Sequence, residues 1–245
     1  WISEVFYLKD GTVYATDYAN IYIFDQNGAV TATIALEYGI NTMFPLGDSE
    51  MGVSVWQEGS GNSMHLIDKA SGALGEGIAL PANAWYCRAG FGEYPYVYEN
   101  NGTFFGFDQG KEPEKLFSWL DFDVDSSGLG GSWAFDTDGT IYALESIYDQ
   151  ETETNSHNLM IMTPVDPSEL PQKQTLTLAC MYLDWDIRSD IIAFNKSRDD
   201  VRIVVNDYSQ YATEEDYNAG IQKLNTEILS GMVPDLFLVD DIQFI

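Results

Sequence analysis

A short motif recurs along the first two thirds of this chain: an apolar run that ends in Asp and falls into a Gly-containing turn. It reads YIFDQNG at 22–28, HLIDKASG at 65–72 and FGFDQGKE at 105–112, which places Asp25, Asp68 and Asp108 at intervals of 43 and 40 residues. A second recurrence reads LKDGTVYATD at 8–17, ENNGTFFGFD at 99–108 and DTDGTIYALE at 136–145, and a fourth unit fills 131–164. Alternating apolar residues between Gly, Asn and Asp turns signal hairpins. Strand–turn–strand units with a period of about 40 residues predict propeller blades. A single blade cannot bury both of its faces, whereas stacked neighbours can, and closing the ring removes the open edges. Four units can close a small ring, or they belong to a larger one whose first blades precede Trp1. The alternative is an irregular β-sandwich in which the DG and NG turns coincide by chance.

The text changes at TPVDPSELPQKQ, where Pro164, Pro167 and Pro171 sit among polar residues. This is a linker. Beyond it the rhythm is β-α-β-α-β. TLTLACMYL at 175–183 reads as a strand. Ile187, Ile191 and Phe194 stand at helical spacing in 186–197, with Asp184 or Asp186 as the cap. DVRIVV at 200–205 is β-branched and alternating. A second helix is expected over 214–230, with Thr213 and Asp216 at capping-box spacing and a stripe of Tyr217, Ile221, Leu224 and Ile228. Gly231 suits the left-handed position past its end and Pro234 prevents continuation. LFLV at 236–239 reads as a central parallel strand. The expected fold class is therefore multidomain: an all-β propeller-like repeat domain over 1–165, a linker at 166–174, and a partial α/β lobe over 175–245.

The last third also carries a family resemblance. IIAFNKSRDDVRIVVNDYSQY followed by DYNAGIQKLNTEILSGMVPDLFLVDD resembles the first lobe of the extracellular solute-binding proteins of ABC importers. The residues that carry it are Phe194 and Asn195, Asp207 and Tyr208, Leu224 and Asn225, then Gly231, Pro234 and Asp235. The resemblance implies a periplasmic-binding-protein-like α/β lobe, a two-lobed whole with ligand between the lobes, and an ABC permease as partner. It also implies export and a lipid-modified Cys that anchors the protein at a bacterial surface. The sequence departs from the pattern by stopping after the third strand, so the resemblance implies a fragment that cannot close a cleft.

Parallel α/β sheets bind ligands at the carboxyl ends of their strands. Three such ends are expected: Asp184, Trp185 and Asp186; Asp207, Tyr208, Ser209 and Tyr211; Asp240 and Asp241. Flat aromatic faces beside carboxylates suit a sugar. The candidate ligand residues are Trp185, Asp184, Asp186, Tyr208 and Asp240. Each has a structural alternative: Asp184 or Asp186 as a helix cap, Trp185 and Tyr208 as packing aromatics, Asp240 as a solvated strand end. Asn195 is expected to end its helix and brace the turn.

Thirty-nine Asp and Glu against 11 Lys and Arg give a net charge of -28. Such a surface repels phosphate backbones and anionic headgroups, which argues against nucleic acid as a partner. No run of about 18 apolar residues occurs. Cys87 and Cys180 are too few for a disulfide scaffold. DFDVDSSG at 121–128 opens like a calcium loop, but Ser126 and Ser132 stand where a Gly and a carboxylate are needed, so no metal is expected. GLGG at 128–131 lacks dinucleotide-loop spacing. His65 and His157 stand alone, and no hydrolase or metalloprotease motif occurs.

Three readings of function follow, the third being a propeller-type hydrolase or lyase, which no motif supports. In the first the chain is a non-enzymatic, monomeric, cofactor-free capture protein for a small solute, a carbohydrate by its aromatic and acidic loops. In the second the propeller-like part is itself a glycan- or protein-recognition module at the cell surface.

Overall fold

The computed structural model describes all residues except 18, 82, 83, 85, 213–215 and 239–245. Residues 1–117 and 129–164 form one compact unit, and residues 118–128 and 165–245 form a second.

The first unit consists of four consecutive sheets that run in chain order. Blade one holds β1 (Glu4–Tyr7), β2 (Val13–Thr16), β3 (Asn20–Phe24) and β4 (Val30–Ala35). Blade two holds β5 (Ile40–Leu46), β6 (Glu50–Gln57), β7 (Gly61–Asp68) and β8 (Ala73–Leu74), with β9 (Ile78–Ala79) also pairing β7. Blade three holds β10 (Tyr86–Ala89), β11 (Tyr96–Asn100), β12 (Thr103–Phe107) and β13 (Glu114–Ser118). Blade four has three strands, β14 (Trp133–Phe135), β15 (Ile141–Asp149) and β16 (Thr154–Met162). Four successive meanders stacked face to face are the architecture of a β-propeller.

Two turn types explain the repeats. Asp25, Asp68 and Asp108 all stand at the turn between third and fourth strands. There the Asp25 carboxylate accepts the amides of Asn27 and Ala29, and that of Asp68 accepts the amide of Ala70. The DGT runs at 10–12 and 138–140 lie between first and second strands and have one geometry. Gly11 (φ +89°) and Gly139 (φ +85°) occupy the left-handed region, and Asp10 and Asp138 each accept the amide of the following Thr at 2.9 Å. The third run is a different object. Asn101 (φ +50°) and Gly102 (φ +79°) form a two-residue hairpin between β11 and β12. Both central residues at positive φ is what a tight hairpin demands.

Adjacent blades interdigitate through alternate residues. Tyr14, Ile21, Ile23 and Ile34 of blade one share a core with Met51, Val53 and Val55 of blade two. Phe44 and Met64 from the other face of blade two meet Cys87, Tyr98 and Phe107 of blade three. The opposite face of blade three supplies Phe104, whose ring lies 4.9 Å from Trp133 and 5.6 Å from Phe135 of blade four.

The second unit corrects the sequence expectation. The fold class is not a propeller-like domain joined to a periplasmic-binding-protein-like lobe. The protein is predominantly β, and among the described residues this unit holds two α-helices and a three-stranded parallel sheet. The sheet runs β18 (Val201–Asp207), β17 (Gln174–Cys180), β19 (Leu236–Phe237). β17 is central, whereas β19 is a two-residue, exposed edge among the described residues, not the central strand expected at 236–239. Helix α1 (Trp185–Ser197) follows β17, and α2 (Ala219–Leu229) starts at Asn218, which leaves Tyr217 outside and exposed. Thr213, offered as the cap, lies outside the described residues. Gly231 does take the left-handed position (φ +94°), and Met232 N–H bonds the Glu227 carbonyl in a Schellman closure.

The sheet is braced by residues 118–128, which leave the β region between β13 and β14. Asn195, buried inside α1, accepts the Ile203 amide at 2.8 Å and donates to the Ile203 carbonyl at 3.0 Å and to Asp123 at 2.9 Å. Asp123 also receives Arg202 at 3.0 Å, and Leu120 joins the apolar core of Leu178, Leu183, Ile191 and Ile192. Three of the residues that carry the solute-binding resemblance thus act as internal braces. Asn195 holds a strand, Asp207 caps a short 3-10 turn at 208–211, and Tyr208 donates its hydroxyl to Glu227. No helix among the described residues is long and apolar enough to cross a membrane.

Candidate recognition surface

In an antiparallel sheet, alternate residues point to opposite faces. Blade one spends Phe6, Tyr14, Ile21 and Ile23 on blade two. Its pairing register then puts Val5 beside Ala15, Tyr7 beside Val13, and Val13 beside Phe24 on the opposite face. That face is apolar too, and it is open: Val5 is 62 % and Tyr7 73 % exposed. Two adjoining clefts lie on it. One, of about 410 Å³, is lined by Ile2, Val5, Val13, Ala15, Phe24 and Gly28. The other, of about 400 Å³, is more polar and brings Tyr7 together with Lys9, Asp10, Asp25 and Gln26.

Blade four ends the array in the same way. Trp133, Phe135, Ile141 and Ala143 share one face through their register, and Trp133 and Phe135 meet the aromatic rings of blade three. The opposite face pairs Tyr142 with Ile161 and Leu144 with Leu159. Leu159 is 63 % and Ile161 56 % exposed. So the two ends of the stack do not cover each other. Exposed contiguous apolar patches on a soluble domain mark interaction sites.

The rim of blade one is held by charge. Asp10 receives Lys69 from blade two and the Thr12 amide, and these hold its carboxyl down at about 2. Gln26 donates to the Asp10 carbonyl at 3.2 Å. Lys9 pairs with Asp48 at 2.7 Å, fully in solvent. On the far side of blade one, Asp17 accepts from the Tyr22 hydroxyl at 2.8 Å and from Asn20, which lower it to about 2.

The inner strands carry a second polar cluster. Arg88 on β10 donates to Thr42 Oγ1 of β5 and to the Cys87 carbonyl, and lies 5.5 Å over the Trp133 ring. Burial lowers its pKa. The buried Ser54 hydroxyl and Trp133 indole N–H have no hydrogen-bond partner among the described residues.

The sequence-predicted ligand residues are placed as follows. Asp184 is the N-cap of α1 and accepts the Asp186 amide at 2.9 Å. Asp186 is exposed in the first helical turn. Trp185 opens the helix, 53 % exposed, with the Arg188 guanidinium 5.3 Å over its ring. Tyr208 is buried against Glu227 and Tyr211. Asp240 lies outside the described residues. The three carboxylates at 121, 123 and 125 serve separate partners: Asp121 accepts the Ser118 amide, Asp123 receives Asn195 and Arg202, and Asp125 accepts the Ser127 amide. The apolar blade faces were missed from sequence; the signal was present in the register of Val5, Tyr7 and Val13, each out of phase with the buried set.

No protein-family model matches the chain, and no curated protein matches it. Among solved structures it is similar to the β-propeller domain of Myceliophteria thermophila Cps50 (Swd1), at 11 % identity over 64 % of this chain and 54 % of that one, TM-score 0.40. It is also similar to the WD40 domain of Neurospora crassa Pan2, at 16 % identity over 65 % and 48 %, TM-score 0.40. A protein of unknown function from Bacteroides caccae gives 13 % identity over 71 % and 64 %, TM-score 0.42. The chain spans about half the length of the first two. These likenesses are too distant to carry function, and the propeller assignment rests on the sheet topology. The expected membership of the ABC-importer solute-binding proteins, with carbohydrate transport as the role, is overturned. The bulk of the chain is propeller, and Asn195 and Tyr208, which belong to the resemblance, are engaged in internal hydrogen bonds of the second unit.

Proposed function

We propose that this protein is a non-enzymatic recognition module that binds a protein partner through the outward face of its first blade. The observation that carries the reading is the uncharged surface of exposed Val5 and Tyr7 beside half-buried Val13, on a chain of net charge -28. An apolar floor with a polar rim is the anatomy of a protein interface: a desolvated centre supplies the affinity and the rim supplies specificity. Tyr7 is the natural anchor, because a large, stiff amphipathic ring buries much area at little entropy cost. The neighbouring polar cleft, where Tyr7 stands beside Asp25 and Gln26, favours a glycan as the second reading.

A photoreactive residue at position 5 of the whole chain, exposed to the proteins of its source cells, tests this. Protein adducts at position 5 that are absent from a control at Glu151 on the β15–β16 tip, and that Tyr7→Ala weakens, are expected. Adducts equal at both positions, with glycan binding that depends on Tyr7, overturn it in favour of the second reading.

A further inference from the structure

Arg88 stands on β10, the first strand of blade three, and β10 packs against the first strands of blades two and four. Taking a guanidinium out of water is costly unless an opposite charge or a full set of acceptors meets it. Lys9, Lys69 and Lys111 of the same unit each hold a carboxylate. Arg88 is half-buried, and among the described residues no carboxylate pairs with it. Glu4 of β1 acts on it only through space. Its contacts are all with neutral groups, and they leave one edge free. Nη1 donates to Thr42 Oγ1 and, at 3.1 Å, to the Cys87 carbonyl, which uses both of its protons. The Trp133 ring, 5.5 Å from the guanidinium carbon, supports its plane. Nε and Nη2 have no hydrogen-bond partner among the described residues. Two more donors of the cluster are idle in the same sense: the buried Ser54 hydroxyl, beside Thr42 in the β5–β6 register, and the Trp133 indole N–H. The cluster is rich in donors and short of anionic acceptors, in a chain where acids outnumber bases 39 to 11. Polar groups left idle inside a native fold mark a place where something else binds or acts.

We infer that the inner strands of blades two to four hold a small carboxylate ligand, bound side-on at the Nε–Nη2 edge of Arg88. A carboxylate presents two oxygens in one plane, and this edge of a guanidinium presents two parallel N–H groups that match them. The Nη1 hydrogen bonds and the Trp133 ring already fix the plane of the fork, so little side-chain freedom is lost on binding. Charge selects the class. A chain of net charge -28 repels a multiply charged phosphate more strongly than a monovalent carboxylate. Every residue of the site lies on three consecutive blades, and none belongs to the outward face of blade one.

NMR of the whole chain carrying isotope-labelled arginine tests the site. The Nε–H signals of Arg88, Arg188, Arg198 and Arg202, each assigned through its own backbone, are followed as sodium acetate replaces sodium chloride at fixed ionic strength. The Arg88 signal is expected to move downfield and to half-saturate at about 1–10 mM, the strength of one charge-assisted pair. The other three are expected to drift in shallow straight lines. Acetate is also expected to raise the melting temperature of the parent, and Arg88→Lys to lose that rise, because a ligand stabilises only the fold that binds it. If Arg88→Lys is unfolded by circular dichroism, Glu4→Gln takes its place and is expected to tighten acetate by about twofold or more, since a nearby like charge is removed. An Arg88 signal that acetate leaves in place up to about 100 mM overturns the inference. So do four signals that move alike, and so does movement by inorganic phosphate alone. Acetate binding that appears only in Glu4→Gln overturns it too, because Glu4 then occupies the fork in the parent.

Discussion

The Arg88 guanidinium lies 5.5 Å from the ring centre of Trp133 and donates to Thr42 Oγ1, so one side chain of the third blade reaches both the second and the fourth. Burial penalises the charge, and the two hydrogen bonds and the ring offset that penalty. Arg88→Ala removes all three contacts and leaves Thr42 without its donor. The expected loss in urea unfolding is about 2–4 kcal/mol. Arg88→Lys keeps the charge but not the planar fork, and falls between. Ser54→Ala, at a buried hydroxyl with no partner among the described residues, is expected to be neutral within about 0.5 kcal/mol or stabilising.

Asn195 replaces a missing strand neighbour. Its carboxamide pairs with both backbone groups of Ile203, as an adjacent strand would. Asn195→Ala leaves the part-buried Ile203 amide and carbonyl without their Asn195 partner, and about 1–3 kcal/mol of stability of the second unit is expected to go. Asn195→Leu, similar in size, gives no rescue. Limited proteolysis that cuts 165–238 faster than the blades reads the effect.

Gly220 reverses the usual helix rule. In an exposed helix interior Gly→Ala is worth about 1 kcal/mol of stabilisation. Here a Cβ would stand 2.3 Å from the Tyr208 carbonyl oxygen, a backbone atom that cannot swing aside. Gly220→Ala is therefore expected to destabilise by about 1–3 kcal/mol, the scale of overpacking. A thermal melt that rises instead would show that α2 is free to shift off the 208–211 turn.

These positions show what the sequence could and could not reveal. Asp25, Asp68 and Asp108 were legible because their turns are local: the Asp25 and Asp68 carboxylates cap amides two to four residues on, and Asp108 pairs with Lys111 three residues on. The NGT run at 101–103 was misleading, because Asn-Gly-Thr and Asp-Gly-Thr share letters but build different turns at different places in a blade. The role of 118–128 was hidden because its anchors are remote. Asn195 and Arg202 lie 72 and 79 residues from Asp123. Asn195 and Tyr208 resemble marks of a binding lobe in sequence, yet their side chains bond within the unit. The open faces of blades one and four were only partly legible: alternation separates Val5, Tyr7 and Val13 from the buried set, but that Val5 and Leu159 are exposed comes from the fold.

Acid should loosen the first blade early. The Asp10 and Asp17 carboxyls are both held at about 2, by Lys69 and by the Tyr22 hydroxyl first of all. Their folded pKa values are depressed below the unfolded value of about 3.9. The stability they contribute is therefore complete above about pH 4 and is lost as pH falls toward 2. Both groups are exposed, so the effect is modest and salt-sensitive. Circular dichroism across that window should show a shallower loss in Asp10→Asn and Asp17→Asn than in the parent, with the two substitutions adding.

Alkali acts through the thiols. Cys87 and Cys180 are both free and buried, and burial pushes each up to about 12. In the unfolded chain a thiol titrates near 8.5. A folded value raised above the unfolded one gives stability that is whole below about pH 8.5 and is lost as pH rises toward 12. The thiolate is also the reactive form, so a native chain at pH 9 should alkylate slowly at both positions. Iodoacetamide followed by intact-mass measurement checks this. Negligible adduct in buffer and two adducts per chain in urea are expected. Fast single labelling at pH 9 would show that one thiol reaches solvent through local opening, and peptide mapping would say in which unit that opening lies.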